Sequence, residues 1–448
     1  MARPKPISGF PEWLPGGRLV EQHVLGVLRE TFELHGFAPV ETRAVEPLAQ
    51  LLRKGETDKE IYVLRRLQSE ADEDDTGLGL HFDLTVPFAR YVLENAGRLQ
   101  FPLRRYQIQK AWRGERPQEG RYREFCQADI DIVDRDDLPP HYEAEIPLVV
   151  AEALAALPIP PVLIQVNNRK IAEGFYRGVG IEDVQGVLRT VDKLDKIGPG
   201  GVHAQLVERV GCTDDQAKAT LSLAEISSAD LSFVDRVRVL GADHPLLDQG
   251  LTELARVVDD GRRFAPGLLV ADLRVARGLD YYTGTVYETL LRGHEALGSI
   301  CSGGRYDDLA SGEDGVRYPG VGISVGVTRL VGGLLGRGAL EATRSVPTCV
   351  LVALPAEQDR PRCNEIAGKL RARGIPSEVA PSAAKYGRQI RFADRRAIPY
   401  VWFPAGESGG DEVRDIRSGT QTGADPDEWA PPREDLRPRV VRMVPAGE

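Results

Sequence analysis

The chain is 448 residues long, too many for one ordinary hydrophobic core, so two or three domains are expected. Its 42% hydrophobic and 28% charged residues are those of a soluble globular protein, and a net charge of −10 excludes a generally nucleic-acid-coated surface while leaving room for a local basic patch. The five cysteines (126, 212, 301, 349 and 363) form no Cys-x-x-Cys or Cys/His cluster, and no apolar run reaches the ~20 residues of a membrane helix or forms a signal-type core at the start. No zinc site, disulfide framework or membrane span is therefore expected, and scattered thiols fit a reducing cytoplasm.

Val20, Val24, Val27, Leu28 and Phe32 recur at helical spacing and predict a helix over 19–35, closed by Gly36, with a strand over 37–45. Residues 70–76 read as an acidic loop. A short strand over 80–84 then meets a helix over 86–95, with Pro87 in its first turn. Asp83 and Thr85 stand at that joint, where a carboxylate and a hydroxyl either bind an ammonium or cap the helix; the pattern does not choose.

Two strands joined by a charged loop come next. Along 104–113, Tyr106, Ile108 and Trp112 share a face with Lys110, while Gln107, Gln109, Ala111 and Arg113 share the other. Along 124–133, Cys126, Ala128, Ile130 and Ile132 suit a core, and Phe125, Gln127, Asp129 and Asp131 point the opposite way. Such a polar face is a solvated surface or the floor of a site, and taken alone the solvated reading is favoured. Between the strands, Arg113, Glu115, Arg116, Arg121 and Arg123 crowd around Pro117 and Gly120, which suggests a polyanion held over a small polar ligand.

A helix over 142–157 and a strand over 162–166 follow. From 168 to 262, charged helical segments alternate with breakers such as Gly-Pro-Gly-Gly at 198–201, as expected of a helical module inserted into a sheet domain. A strand over 268–275 runs into RGLDYYTG (277–284). The glycine pair of SGGRYDDL (302–309) marks either a tight turn, favoured for the pair alone, or a close backbone approach. In PGVGISVGVTRL (319–330), Gly322 and Gly326 are read on a helix, as a small face lying flat on a sheet with Arg329 beside it.

Beyond, strands over 349–354, 375–380 and 399–403 alternate with helices over 358–373 and 382–396, with an edge strand over 412–417; this is the pattern of a small α/β domain. Its second helix carries Lys385, Arg388, Arg391, Arg395 and Arg396, which line a phosphate-contacting face or a merely solvated one. The last ~25 residues are expected to be loosely held. The expected division is 1–335, with the insertion at 168–262, a linker at 336–347, a domain at 348–435 and a tail at 436–448.

Taken together, these segments resemble the histidyl-tRNA synthetases. Residues 104–133 resemble motif 2 of class II aminoacyl-tRNA synthetases, whose core is Arg-x-Glu, a loop, then Arg-x-x-x-Phe. RGLDYYTG and SGGRYDDL resemble two blocks restricted to the histidyl enzymes, PGVGISVGVTRL resembles class II motif 3, and LHFDLTVPFARY (80–91) resembles the amino-acid-binding strand and helix. The resemblance implies an α+β fold: an antiparallel sheet of about six or seven strands with flanking helices, an inserted helical domain, a C-terminal α/β anticodon-binding domain, and a cytoplasmic homodimer. It implies ATP-dependent ligation of L-histidine to tRNA(His) through a histidyl-adenylate, with Mg²⁺ accompanying ATP. By correspondence, Arg113 binds the α-phosphate, Glu115 the adenine end and Arg121 the terminal phosphates, and Phe125 and Arg329 sandwich the adenine. Arg277 binds the substrate carboxylate and α-phosphate region, so Arg113, Arg277 and Arg329 form the catalytic set. Asp83, Thr85 and Gln127 cradle the histidine ammonium. Asp131 and Tyr282 meet the imidazole, and Tyr281 and Tyr306 line its pocket. Arg116 and Gln118 face the tRNA acceptor end, and Lys385 and Arg388 its anticodon arm. No metal-ligating protein set is implied.

Four positions depart from the family pattern. Asp83 and Asp131 stand where bacterial members commonly have Glu, and FDLTVPFARY and QADID look closer to the eukaryotic-type branch. Arg43 replaces the motif 1 proline, and Thr328 replaces the acidic residue before the motif 3 arginine. Two other readings are a non-catalytic regulatory subunit of ATP phosphoribosyltransferase, which typically lacks the C-terminal domain and erodes the ATP arginines, and a synthetase paralogue with a resistance or biosynthetic role.

Overall fold

The helical spacing of Val20, Val24, Leu28 and Phe32 buries all four on one face of α1 (Pro15–Leu34). This computed structural model describes residues 4–52, 60–67, 77–275, 281–311, 315–405 and 409–443. It divides into two units, residues 1–11 with 24–333 and residues 12–23 with 334–448. After α1 the first unit runs β1 (Ala38–Pro39), β2 (Val45–Pro47), α2 (Leu48–Leu51), β3 (Leu78–Leu80), α3 (Thr85–Asn95), β4 (Leu103–Trp112), β5 (Glu124–Val133), α4 (His141–Ala155) and β6 (Val162–Asn168). A helical stretch follows: α5 (Arg169–Gly178), α6 (Val184–Val191), α7 (Leu194–Gln205), α8 (Asp214–Ala224), β7 (Ser227–Ser228), α9 (Ser232–Arg238) and α10 (Pro245–Phe264). The chain then returns through β8 (Leu269–Asp272), β9 (Thr285–Leu291), β10 (Cys301–Tyr306) and β11 (Gly320–Gly326) into α11 (Val327–Gly336).

Nine strands form one sheet in the order β1-β4-β5-β11-β10-β9-β6-β8-β7. All neighbours are antiparallel except β1/β4 and β6/β8. The sheet exceeds the expected six or seven because β1 and β7, two residues each, pair at its edges. Of the strand expected over 37–45, only Ala38–Pro39 and the first residue of β2 pair.

Register decides what each face carries, because paired residues point the same way. Tyr106, Ile130, Ile323, Gly303, Tyr287 and Val166 form one cross-sheet row. This apolar face lies under α4, whose Glu143 carbonyl accepts the Tyr287 hydroxyl at 2.6 Å. The neighbouring row, on the opposite face, is polar throughout: Gln107, Asp129, Ser324, Ser302, Glu288 and Gln165.

Two sequence expectations are corrected here. Gly322 and Gly326 lie on β11 rather than on a helix, which begins only at Val327, and the glycine pair 303–304 lies within β10 rather than in a turn. The reason is packing. A Cβ on Gly322 would sit 2.2 Å from Asp131 Oδ1, one on Gly320 2.5 Å from the Tyr306 ring, and one on Gly304 2.9 Å from the Tyr282 ring. The glycines clear space above the sheet for a carboxylate and two phenols.

The inserted stretch is less separate than its texture suggests. A Cβ on Gly174 would meet the Leu247 backbone nitrogen at 2.3 Å, so α5 and α10 cross in close contact. Asn168 Nδ2 donates to Glu253 at 2.8 Å, and Lys170 pairs with the same carboxylate, tying α10 back to the end of β6.

In the second unit, β12 (Leu340–Ala342), β13 (Val350–Val352), α12 (Arg360–Ala372), β14 (Ser377–Val379), α13 (Tyr386–Arg395), β15 (Tyr400–Phe403), β16 (Glu412–Asp415), β17 (Gln421–Gly423) and β18 (Val440–Arg442) follow in order. The βαβαβ core is as expected: β13 lies parallel to both β14 and β15, and β16 and β17 extend the sheet antiparallel. The expectation of a loosely held end is corrected for the described residues, since β12 from the linker pairs with β18 from the tail. Asp435 anchors the return: it accepts from Tyr400 Oη at 2.7 Å and from Arg417 at 2.7 and 2.8 Å, while Arg344 donates to its carbonyl at 2.8 Å.

Candidate active site

The polar face of β4, β5 and β11 is not solvated, contrary to the reading its alternation favours in isolation. Gln127, Asp129 and Asp131 are 9%, 2% and 3% exposed, and Arg105 and Gln107 beside them on β4 are fully buried. A buried polar layer must satisfy itself or await a ligand. Much of this layer does the former. Gln107 Nε2 donates to Thr42 Oγ1 at 2.9 Å and Gln109 Nε2 to the Thr42 carbonyl at 2.9 Å. Arg105 stacks over the Phe88 ring at 4.1 Å and faces Asp131 Oδ2 at 2.7 Å. Asp131 Oδ1 accepts the Tyr306 hydroxyl at 2.7 Å.

At one end of the layer lies a cavity lined by Arg113, Glu115, Gly120, Arg121, Phe125, Gln127, Ser324 and Arg329. It gathers every residue expected to hold ATP. The β4–β5 loop positions them through backbone contacts. The Arg113 N–H donates to the Arg123 carbonyl at 2.9 Å, and Gly120 turns at φ +72°, a conformation that favours glycine. Arg113 Nε donates to the Phe82 carbonyl at 2.9 Å, and its guanidinium lies 5.0 Å from the Phe125 ring centre. Arg329, from the first turn of α11, donates from Nε to the Gly120 carbonyl at 2.7 Å and from Nη1 to the Ser299 carbonyl. Glu115 meets Arg121 at 3.2 Å and Arg113 at 3.9 Å. Three guanidiniums thus converge with Glu115 between two of them. Burial, then Arg121 and Arg113, push the Arg329 pKa below its ordinary value. Guanidiniums crowded closely enough to depress the pKa of one of their number, with Glu115, Glu60 and Glu288 around them, suit a polyanion site.

At the other end is a cluster of phenols and carboxylates. The Tyr281 and Tyr282 rings lie tilted against each other with centres 4.6 Å apart, and Tyr281 meets Tyr306 edge-on at 6.2 Å. All three tyrosines pack against the side of α3 that carries Phe88 and Val92. Burial raises their phenol pKa values, so they remain neutral donors and acceptors at pH 7. Asp83 resolves the even choice left by the sequence partly toward capping, since its Oδ1 accepts the Val86 N–H at 3.1 Å. Thr85 opens α3 beside it. Gln127 Nε2 donates to Ser324 Oγ at 2.8 Å. Arg277 lies outside the described residues, as does the acidic loop over 70–76.

The loop residues Arg116 and Gln118 are exposed, and a short bridge between Gln118 and Arg121 shapes the loop tip. In the second unit Lys385 precedes α13 rather than standing on it, while Arg388, Arg391 and Arg395 are exposed on the helix. Gln389 fastens that helix to Leu354, accepting its N–H and donating to its carbonyl, both at 2.8 Å. Arg396 turns away to pair with Glu378.

Three further residues, Arg105, Ser324 and Glu288, join the site unannounced by the sequence, and Asp129, which alternation places on this face without a role, joins with them. Arg105 and Asp129 sit on the correct alternation, but nothing local marks them as buried. Ser324 and Glu288 come from strands whose register only the assembled sheet defines. Thr328, the departure in motif 3, is buried and accepts the Cys126 N–H at 2.7 Å, so it ties β5 to α11 between Phe125 and Arg329. Arg43, the other departure, reaches the buried Glu46 at 3.3 Å and Glu94 at 3.4 Å; Glu46 is also held by Arg90 at 2.7 Å.

The profile of the histidyl-tRNA synthetase family matches residues 9–330. A histidine–tRNA ligase of Micrococcus luteus is 61% identical over 99% of this chain and 99% of its own length. One of Cutibacterium acnes is 59% identical, covering 98% and 99% respectively. The crystal structure of the histidyl-tRNA synthetase of Nostoc sp. PCC 7120 superposes with a TM-score of 0.85 at 34% identity, over 95% of this chain and 98% of that one.

Proposed function

The chain belongs to the histidyl-tRNA synthetase family, and from that premise we propose how its residues divide the reaction. The chain is an ATP-dependent histidine–tRNA ligase. The regulatory-subunit reading is not favoured, because full-length relatives are ligases and the ATP arginines stand together in one cavity.

The observation that carries the residue assignment is the buried polar layer, which joins the arginine cavity to the tyrosine–carboxylate cluster on one sheet face. ATP lies in the cavity with its adenine between Phe125 and Arg329, Glu115 at the adenine end, Arg113 at the α-phosphate and Arg121 at the terminal phosphates. Histidine lies toward the tyrosines, its ammonium at Asp83, Thr85 and Gln127 and its imidazole by Asp131, Tyr282 and Tyr281, with Tyr306 holding Asp131. Arg277 would meet the substrate carboxylate.

The substrate carboxylate oxygen attacks the α-phosphorus as the bond to the β-phosphate oxygen breaks, releasing pyrophosphate. Both reactants are anions, and guanidiniums already gathered at the cavity reduce their repulsion and stabilise the five-coordinate transition state. No side-chain nucleophile is required, so positioning two substrates together supplies much of the acceleration. The tRNA 3′-terminal hydroxyl then attacks the adenylate carbonyl and AMP leaves. Mg²⁺ accompanying ATP would supply charge neutralisation at the leaving phosphates. Glu115 and Glu288 are the carboxylates beside the cavity arginines that would help hold it.

Arg116 and Gln118 would touch the acceptor end of tRNA(His). Lys385 and Arg388 would contact the anticodon arm, through backbone phosphates rather than bases. The domains are read as a catalytic unit, a helical insertion and an anticodon-binding unit. A homodimer working in the cytoplasm completes the reading. No helix among the described residues is long and apolar enough to cross a membrane. The test is ATP–pyrophosphate exchange with purified protein across all amino acids. Exchange driven by histidine is expected; exchange with another amino acid and none with histidine would overturn the assignment.

A further inference from the structure

Asp129 has no part in the division of labour above, yet it sits in the middle of the polar row. It is 2% exposed, and its Oδ1 is a buried acceptor without a hydrogen-bond partner among the described residues. Two residues earlier on the same face of β5, Gln127 Oε1 is likewise buried and unpartnered among them, while its Nε2 is committed to Ser324. Successive same-face positions of a strand lie about 7 Å apart, so the two open acceptors flank one site. Asp131 is differently placed: Tyr306 holds one of its oxygens, and Arg105 faces the other.

We propose that Asp129 is a substrate-binding residue, accepting a hydrogen bond from the histidine α-ammonium alongside Gln127. The inference rests on the histidine-ligase reading and adds a member to its ammonium cradle. An ammonium offers three donors and no acceptor, which complements two adjacent unpaired oxygens better than any single-donor group. Charge points the same way. Among the described residues three carboxylates, Asp83, Asp129 and Asp131, act on this region against one buried guanidinium, Arg105. From β4 the registered neighbour is neutral Gln107, from β11 it is Ser324, and the Tyr282 phenol completes the surroundings. A bound ammonium supplies the missing cation.

The consequence is a proton linkage. Burial, opposed by Arg105 and reinforced by Asp131, raises the Asp129 carboxyl to about 7 without substrate. An arriving ammonium favours the ionised form, so histidine binding near pH 7 releases a fraction of a proton approaching one half.

The test is calorimetric titration of L-histidine into the full chain at pH 7 in two buffers of different ionisation heat, with wild type and Asp129→Asn. Wild type is expected to release a proton fraction that the variant does not, and the variant to bind histidine about 10- to 100-fold more weakly with an unchanged KM for ATP. Imidazolepropionate, which lacks the ammonium, is expected to bind both proteins alike. The Ser324 hydroxyl hydrogen-bonds the Asp129 carboxylate and favours its ionised form, so Ser324→Ala should move the pH at which histidine binding tightens upward. Equal histidine affinity and equal proton release in wild type and Asp129→Asn overturn the proposal. So does an equal weakening of imidazolepropionate. Failure of wild type to bind histidine at all sinks the ligase reading instead, and this assignment with it.

Discussion

The two ends of the polar layer solve opposite electrostatic problems. At the arginine cavity, Arg113, Arg121 and Arg329 converge with Glu115 between two of them, and burial with the other two guanidiniums holds Arg329 below its ordinary pKa. At the carboxylate end, Asp131 is answered from within, by Arg105 at 2.7 Å and by Tyr306 at 2.7 Å. The first arrangement is tolerable because the cavity is open and its counter-charge arrives with a nucleotide. The second is enclosed, where an unpaired charge is most costly. One cluster is therefore organised for its ligand, and the other is built first to hold itself together. Substitutions of arginine in the two places should fail in different ways.

Arg113→Ala is the largest expected effect on activity: a loss of about 10³-fold in exchange rate, or roughly 4 kcal/mol of transition-state stabilisation, with little change in thermal midpoint. Steady-state exchange and a melt on the same sample check it, and a destabilised variant with near-normal specific activity would erase the contrast. Arg105→Met should do the reverse, lowering stability by about 3 kcal/mol because Asp131 is left buried and uncompensated; denaturant titration reads this.

Asp129 sharpens the comparison through pH. Its folded pKa of about 7 lies above the ordinary carboxyl value of 3.8. The folded state thus holds the proton more tightly than the unfolded chain. Its contribution to stability is fully present below about pH 4, declines as pH rises, and is lost above about 7. Asp129→Asn should be more stable than wild type by up to about 4 kcal/mol at pH 8, with the gain shrinking toward pH 4. Melts across that range would expose a flat difference, which would contradict the buried, uncompensated carboxylate. The smallest effect belongs to the second unit. Arg388→Ala, on an exposed helix, should raise the KM for tRNA about 3-fold, flatten its salt dependence and leave amino-acid activation untouched.

Much of the fold is legible in the residues. Alternation places the strand Glu124–Val133 with both of its ends correct and displaces β4 by one residue, because a period of two belongs to a half-buried strand and is not produced by a helix. The residues expected at the ATP end all line one cavity. Burial of the polar face is not legible, because it depends on β11 and on Thr42 arriving from elsewhere in the chain. The motif 3 glycines mislead for a related reason. Positions four apart share a face in a helix and also in a strand, so the spacing of Gly322 and Gly326 does not tell the two apart. The tail misleads because Pro- and charge-rich composition says nothing of a partner strand at 340–342.

The sequence by itself determined which side chains share a face and which loop carries the arginines, since these follow from short-range periodicity and residue chemistry; the family was indicated by the resemblance of its motifs and their order. Only the tertiary structure decided that the polar face is enclosed, that Arg105 rather than solvent answers Asp131, and that Asp129 keeps an unpaired oxygen beside Gln127 among the described residues. Burial and charge balance are properties of the assembled sheet. They depend on the register between strands far apart in the chain, which no local pattern encodes.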